Sequence, residues 1–380
     1  MFHKMPLLLL AVIISIICLQ PIMSYEVQSA LYGISLSIKS LLLFVLPIVI
    51  FSLLFKTAVE LAHHATKLIL LILAAVICSN FLSTLISHYV GTSLYHLDLK
   101  LVLPVAVDEL KPLWQLQLPS WIPNDKAMFG GIVTGIVLSY FKPKLASAIA
   151  RILANAVNTL LHYFTFIIPL FVAGFVVKLG FDGLVKSILQ QYAIILLIIL
   201  VAQFSYIGLI YFVANNLKIK QCLTSLKNML PALIAGFSTM SSASAMPLTI
   251  LGTQKNAPKG DFARSIIPTT VNIHLIGDCF AIPILAYAIL KSYGAPEPML
   301  LQYLIFAGYF VLAKFSVAAV PGGGIFVMLP ILESYLGFNS AMLALITALY
   351  LLFDPFITAA NVLGNGGFAL FLDKYRPQPE

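Results

Sequence analysis

The chain is poor in charge. Only 9% of its 380 residues are Asp, Glu, Lys or Arg and 61% are hydrophobic, whereas an average soluble domain carries roughly 25% charged residues. A mean hydropathy of +1.01 excludes a water-soluble globule. Acid is scarcer than base, 14 residues against 22, for a net charge of +8. The basic residues fall in small clusters between apolar runs instead of forming one patch, so nucleic acid is not the expected partner. Cysteine is scarce too: Cys18, Cys78, Cys222 and Cys279 show no paired spacing, which argues for apolar packing and against metal or redox work. There is no phosphate loop ending in Lys-Ser/Thr and no metal-spaced His or Cys cluster, and Gly322-Gly323-Gly324 lacks the strand-to-helix setting of a dinucleotide site. No resident cofactor is expected.

What the chain has in abundance is apolar runs near the roughly 20 residues a bilayer-spanning helix needs. They recur at 7–24, 31–55, 68–90, 128–141, 161–177 and 188–213, with more toward the C-terminus. Lipid satisfies no backbone groups, so spanning segments must be helices or closed barrels, and the lack of period-two alternation excludes a barrel. The expected fold is an all-α polytopic membrane protein of about eight spans. His3 and Lys4 before a short apolar run also fit a signal sequence. Because no small-x-small cleavage site precedes Tyr25 and Glu26, the run is kept as the first span.

Lys142, Lys144 and Arg151, then Lys218, Lys220 and Lys227, then Lys255, Lys259 and Arg264, and finally Lys374 and Arg376 mark loops that the positive-inside rule places in the cytoplasm, together with both termini. Asp98, Asp108, Glu109 and Asp125 mark a Pro- and Trp-containing connection expected outside. A bacterial inner membrane is the expected setting.

Two loops in succession, at 218–227 and 255–264, read as cytoplasmic, although the stretch 230–251 between them is long and apolar. A re-entrant helical hairpin at about 228–252 resolves this, broken by the run from Ser238 through Ser241 and Ser242 to Pro247. The stretch 301–337 is interrupted in the same way at Ala318-Ala319-Val320-Pro321-Gly322-Gly323-Gly324, where glycine permits left-handed turns. Each hairpin is followed by a long apolar segment, at 265–291 and 340–373. Hairpin plus helix thus occurs twice, entered from opposite sides. Ordinary turns between short spans are the plainer reading. Broken helices at corresponding positions of two halves point instead to a substrate and ion site near the midplane.

Polar residues inside the two following helices strengthen that reading. Asn272, His274, Gly277 and Asp278 lie in the first, and Asp354, Pro355, Asn361, Gly364 and Asn365 in the second. An acidic group at mid-bilayer costs about 2.5–3.5 kcal/mol on insertion scales, so Asp278 and Asp354 should face a cavity, a partner or an ion. His274 and Asp278, four apart, are expected on one helical face, where they either serve the site or pair with each other.

The order of a serine-rich hairpin, a polar broken helix, a Val-Pro-Gly-x-Gly hairpin and a helix bearing Asp and Asn resembles the dicarboxylate/amino acid:cation symporter family. The similarity extends upstream to 43–52 and 114–141. The resemblance implies a homotrimer in membrane lipid that carries small organic solutes by an elevator mechanism. Residues 1–215 would be mainly scaffold, with the third and sixth spans against the core, and 216–380 the transport core. By the same resemblance Ser241, Ser242, Val320, Pro321, Gly322, Gly323, Asp354, Ile357 and Asn361 would meet substrate. His274, Gly277, Asp278, Asn361 and Asn365 would serve the coupling cation.

The departures are specific. Where the family has Asn-Met-Asp-Gly-Thr this chain has His274-Leu275-Ile276-Gly277-Asp278, and Asn365 replaces a sodium-binding aspartate. Fewer anionic oxygens suit sodium poorly, so coupling by protons or a reduced sodium set is expected, with His274, Asp278 or Asp354 as carriers. Ile357 stands where members that take acidic substrates have arginine, which favours a neutral amino acid over a dicarboxylate. Lys314 is expected to snorkel along its hairpin arm. A passive channel is the alternative if coupling is lost. An intramembrane aspartyl protease is disfavoured because Gly277-Asp278 lacks the preceding glycine of that motif and the two aspartates occur in the wrong order.

Overall fold

The computed structural model describes residues 5–63, 67–97, 110–119, 121–183, 185–257, 261–317 and 322–375. All regular structure among them is helical: α1 Met5–Leu19, α2 Tyr25–His63, α3 Lys67–His96, α4 Asn124–Phe141, α5 Pro143–Phe181, α6 Val185–Ala214, α7 Ile219–Thr239, α8 Ser242–Asn256, α9 Asp261–Thr270, α10 Ile276–Ser292, α11 Leu300–Ala313, α12 Gly323–Leu336 and α13 Ser340–Tyr375, with 3-10 turns at Gln20–Ile22 and Lys314–Ser316. Their hydroxyls fold back onto the preceding turn, as Thr57 does to the Leu53 carbonyl at 2.9 Å and Thr84 to the Asn80 carbonyl at 2.8 Å. Such bonds let Ser and Thr sit in an apolar helix without a lost donor.

Four helical runs, Tyr25–Glu60, Leu70–His96, Gln190–Ala214 and Ser340–Lys374, are long and apolar enough to cross a membrane, five if the bent α5 counts as one span. This is fewer than the about eight expected from apolar runs alone. Two reasons are visible: the helical stretches Leu7–Ile22 and Lys126–Phe141 are short, and the segment expected at 265–291 is split into α9 and α10.

The helices fall into two packing groups. α2 lies against α4 and α5, and α1 against α5; α3, α6, α7, α8 and α9 pack around α10 and α13, and α11 pairs with α12 and α3. The first group is drawn tight by small residues: a Cβ added at Gly174 would stand 2.0 Å from the Leu31 carbonyl oxygen, so α5 touches α2 backbone to backbone. Along α2 runs an extended strap. Leu113 N–H donates to the Ser29 carbonyl at 3.1 Å, the Trp114 indole to Ser37 Oγ at 3.0 Å, Leu118 N–H to Ser40 Oγ at 2.9 Å and the Trp121 indole to the Phe44 carbonyl at 2.8 Å. In the second group α10 and α13 are almost wholly buried.

The first helical hairpin is α7 packed on α8. Met240 turns the chain in the left-handed region at φ 51°, and Ser241 caps α8 by accepting from Ser244 N–H at 3.3 Å. The break therefore sits at Met240–Ser241. Pro247, expected to cause it, lies inside α8. At the open end Asn228 donates to Asn256 Oδ1 at 2.7 Å and Asn256 to the Ser225 carbonyl at 3.0 Å, which joins the two arms. In the second hairpin α11 and its 3-10 turn pack on α12, which begins after Gly322 at φ 73°, a conformation that suits glycine. Gly323 is already helical. Val320 and Pro321, expected at this tip, lie outside the described residues.

Candidate functional site

The site forms where a helix is interrupted. α9 stops at Thr270, residues 271–275 are not helical, and α10 starts at Ile276. The interruption frees backbone groups that need partners in a setting without bulk water. They find them on two other helices. Asn80 of α3 donates to the Ile273 carbonyl at 2.7 Å and accepts from Leu275 N–H at 3.2 Å. From α13, Asn365 donates to the His274 carbonyl at 3.0 Å, and Asn361 Oδ1 accepts from Gly277 N–H at 2.8 Å. Gly277 also lets α10 touch α13, since a Cβ there would lie 2.3 Å from the Ile357 carbonyl oxygen.

Sequence reasoning missed Asn80. Its signal was an amide inside the apolar stretch 68–90, where polar residues are expensive. Replacing Asn80 with alanine would leave two buried backbone groups unpaired, at about 1–3 kcal/mol each. N80A should melt well below the wild type in a detergent thermal-unfolding assay, and N80D, which keeps an acceptor for Leu275 but turns an unpaired carboxyl toward the Ile273 carbonyl, should not recover that loss.

His274 and Asp278 do not share a helical face, because the chain between them is unwound. They also do not pair. His274 Nε2 shares a 2.9 Å hydrogen bond with Ser79 Oγ of α3, and its ring stacks on Phe368 with centroids 4.0 Å apart. Asp278 opens the first turn of α10 and faces the other way. Its Oδ1 accepts from Tyr350 Oη at 2.6 Å and its Oδ2 from Lys314 Nζ at 3.1 Å. Lys314 does not snorkel. It is 0% exposed, and its ammonium also lies 4.4 Å from the centre of the Phe310 ring. The expectation failed because the 3-10 turn at the end of α11 directs the side chain inward, where a carboxylate waits.

Asp354 of α13 is buried as well. Oδ2 accepts from Gly322 N–H at 2.8 Å and Oδ1 from Thr358 Oγ1 at 2.9 Å. A carboxylate at the start of α12 meets the positive end of the helix dipole. Thus α13 ties down the second hairpin at two points, Asp354 on Gly322 and Tyr350 through Asp278 on Lys314.

These groups surround a cavity of about 30 Å³ lined by Met240, Ser242, Asn272, Asp278, Asp354 and Asn361, with Thr358, Tyr350, Gly324 and Val317 among the rest of its wall. That is room for about two waters. Of the polar residues named from sequence, Ser242, Asn272, Asp278, Asp354 and Asn361 line it. Ser241 and Gly322 sit one step away as caps, Gly277 holds the helix contact, and His274 and Asn365 lie behind it on the α3 side. Ile357 is fully buried and does not line it; the next residue, Thr358, does. Thr358 and Tyr350 were not foreseen. Their one signal was their place on the polar stripe of α13. Asn272 and Val317 also line a wider cleft of about 450 Å³ against α2, walled by Lys56, Thr57 and Glu60. Larger cavities, such as one of about 610 Å³ between Lys220, Lys255 and Lys374, open away from these groups.

Two hairpins of packed helices and a helix interrupted at buried polar groups enclose a small carboxylate-lined cavity. No curated protein matches the chain significantly. The sodium:dicarboxylate symporter family does match it, over residues 5–375. The chain, a membrane transporter and not an enzyme, belongs to the sodium:dicarboxylate symporter family.

Proposed function

We propose that the protein is a secondary active carrier of small carboxylate-bearing solutes, with neutral amino acids favoured over dicarboxylates, coupled to protons or to a reduced sodium set. The observation that carries this reading is the carboxylate-lined cavity, which both hairpins and both following helices enclose and which shares Asn272 and Val317 with the cleft against α2. Its volume of about 30 Å³ is far below the roughly 300 Å³ of a ligand pocket, so this conformation is closed. Opening hairpin 2 would free Asp354 to receive an ammonium group. The first turn of α8, with Ser242 on the cavity wall, offers N–H groups to a carboxylate. Ile357 supplies no guanidinium for a second carboxylate.

The cleft beside Lys56 and Glu60 is the exit route in this reading, on the side that the charge pattern assigns to the cytoplasm of a bacterial inner membrane. The group of α1, α2, α4 and α5 would form the scaffold of a homotrimer, with the α10 and α13 group as its moving element. Buried His274 is the candidate proton carrier: its Nδ1 and the neighbouring Asn365 Oδ1 form no well-directed hydrogen bond in this state, and proton uptake would supply a donor for one.

Thermal unfolding of the purified protein across amino acids and dicarboxylates tests the reading, because a ligand that binds the folded state stabilises it, by about 2.7 kcal/mol at a hundredfold excess over Kd. Neutral amino acids should raise Tm and dicarboxylates should not. Stabilisation by dicarboxylates alone would overturn the substrate assignment. In vesicles, uptake driven by a sodium gradient and unaffected by a pH gradient would overturn proton coupling. Counterflow and saturation should be seen, as in a carrier and not a pore.

A further inference from the structure

Asp278 is 1% exposed and lines a cavity together with the oxygen-bearing residues Ser242, Asn272, Tyr350, Asp354, Thr358 and Asn361. A carboxylate this deep requires a bound cation, a proton or an amine beside it. Oxygens gathered around such a carboxylate are the chemistry of a hard-cation site. The amine is what this chain provides. Lys314 comes from hairpin 2, places Nζ 3.1 Å from Oδ2 and is 0% exposed. Gly324 of the same hairpin closes the far side, where a Cβ would stand 2.8 Å from Oδ2.

We propose that Lys314 is a resident cation: its ammonium does for Asp278 what a bound metal ion would otherwise do, so that hairpin 2 closes on α10 without sodium. The inference rests on the carrier reading and specifies its ion requirement. Three features agree with it. The ammonium is covalently part of the gate, so its position changes with the gate. Its remaining face is spent on the Phe310 ring at 4.4 Å, an interaction favourable to a desolvated cation. The cavity of about 30 Å³ borders Asp278, so an ion could reach the carboxylate once the lysine head that pairs with it is removed.

The test compares the wild type with K314M, which keeps the stem and removes the charge, and with D278N/K314M, which removes both charges. Each is unfolded thermally in sodium chloride and in choline chloride at equal ionic strength. The wild type should show the same Tm in both salts. K314M should melt several degrees lower in choline and recover in sodium in a saturable way, while D278N/K314M should regain stability and respond to neither salt. Should K314M not fold in either salt, recovery of a folded, salt-indifferent D278N/K314M supports the proposal, and failure of that double variant to fold overturns it. Sodium stabilisation of the wild type equal to that of K314M also overturns it, as does K314M matching the wild type in choline. Solute counterflow by the wild type is measured separately: if it is absent while the Tm pattern holds, the carrier reading fails and the role of Lys314 stands.

Discussion

Replacing Asp354 with alanine should weaken binding of the best-stabilising solute about 10- to 100-fold. The carboxylate accepts from Gly322 N–H at 2.8 Å in the closed state, and a hydrogen bond to a charged group is worth about 1.5–3 kcal/mol. Loss of that amount from the closed conformation alone moves a two-state equilibrium by about one to two orders of magnitude. D354N separates the two duties proposed for this residue. Its amide oxygen can still receive Gly322 N–H, so if fastening the hairpin dominates, D354N falls between the wild type and D354A. If neutralising a substrate ammonium dominates, D354N and D354A fail equally. Titration of the solute against thermal stability of each variant gives the answer, and wild-type affinity in D354A would remove Asp354 from the site.

A second large effect is expected from one methyl group. In Gly277→Ala the new Cβ would stand 2.3 Å from the Ile357 carbonyl oxygen and 3.0 Å from Asn361 Oδ1. The atom in the way is backbone of α13, which has no rotamer to escape into. Overpacking of this kind costs about 1–3 kcal/mol, and displacement of Asn361 adds about 1–3 kcal/mol for the Gly277 N–H left unpaired. G277A should therefore lose much of the protein's thermal stability in detergent. Gly308 provides the control: it is also helical, on α11, and a Cβ there meets nothing within 4 Å. G308A should be neutral or gain up to about 1 kcal/mol from helix propensity. Equal melting of the two variants would mean that the α10–α13 contact does not limit stability.

The hairpins were legible because small, hydroxyl-bearing and glycine residues interrupt apolar runs at 238–247 and 318–324, and few other readings of such runs exist in lipid. The position of the first break was not legible, since proline is tolerated within α8, α12 and α13 while Met240 takes the left-handed turn. The unwinding at 271–275 left no glycine or proline in Val-Asn-Ile-His-Leu to announce it. What holds it open is Asn80, nearly two hundred residues earlier, and spacing along one segment cannot reveal a partner on another. That is why His274 and Asp278 read as neighbours. Lys314 was misread for a related reason: snorkelling presumes a straight helix, and the chain turns 3-10 at Lys314–Ser316. On α13 Tyr350 and Thr358 lie four residues either side of Asp354 and line the same cavity, but a tyrosine and a threonine are common enough in apolar helices to carry no signal of their own.

The strap along α2 sets a leash length. α3 of the second packing group ends at His96, and Lys111, whose N–H meets the Tyr25 hydroxyl, is fastened to the first. Fourteen residues, Leu97 to Leu110, lie between, a contour that cannot exceed about 52 Å at 3.3–3.6 Å per residue. Between Phe181 of α5 and Val185 of α6 only three intervene, a reach of about 14 Å. The second packing group is thus joined to the first by one long connection and by short ones, since only three residues also separate His63 of α2 from Lys67 of α3. Were that group to shift past α2, the short connections would limit the travel of the helix ends they join, and the long one after α3 would give the most slack.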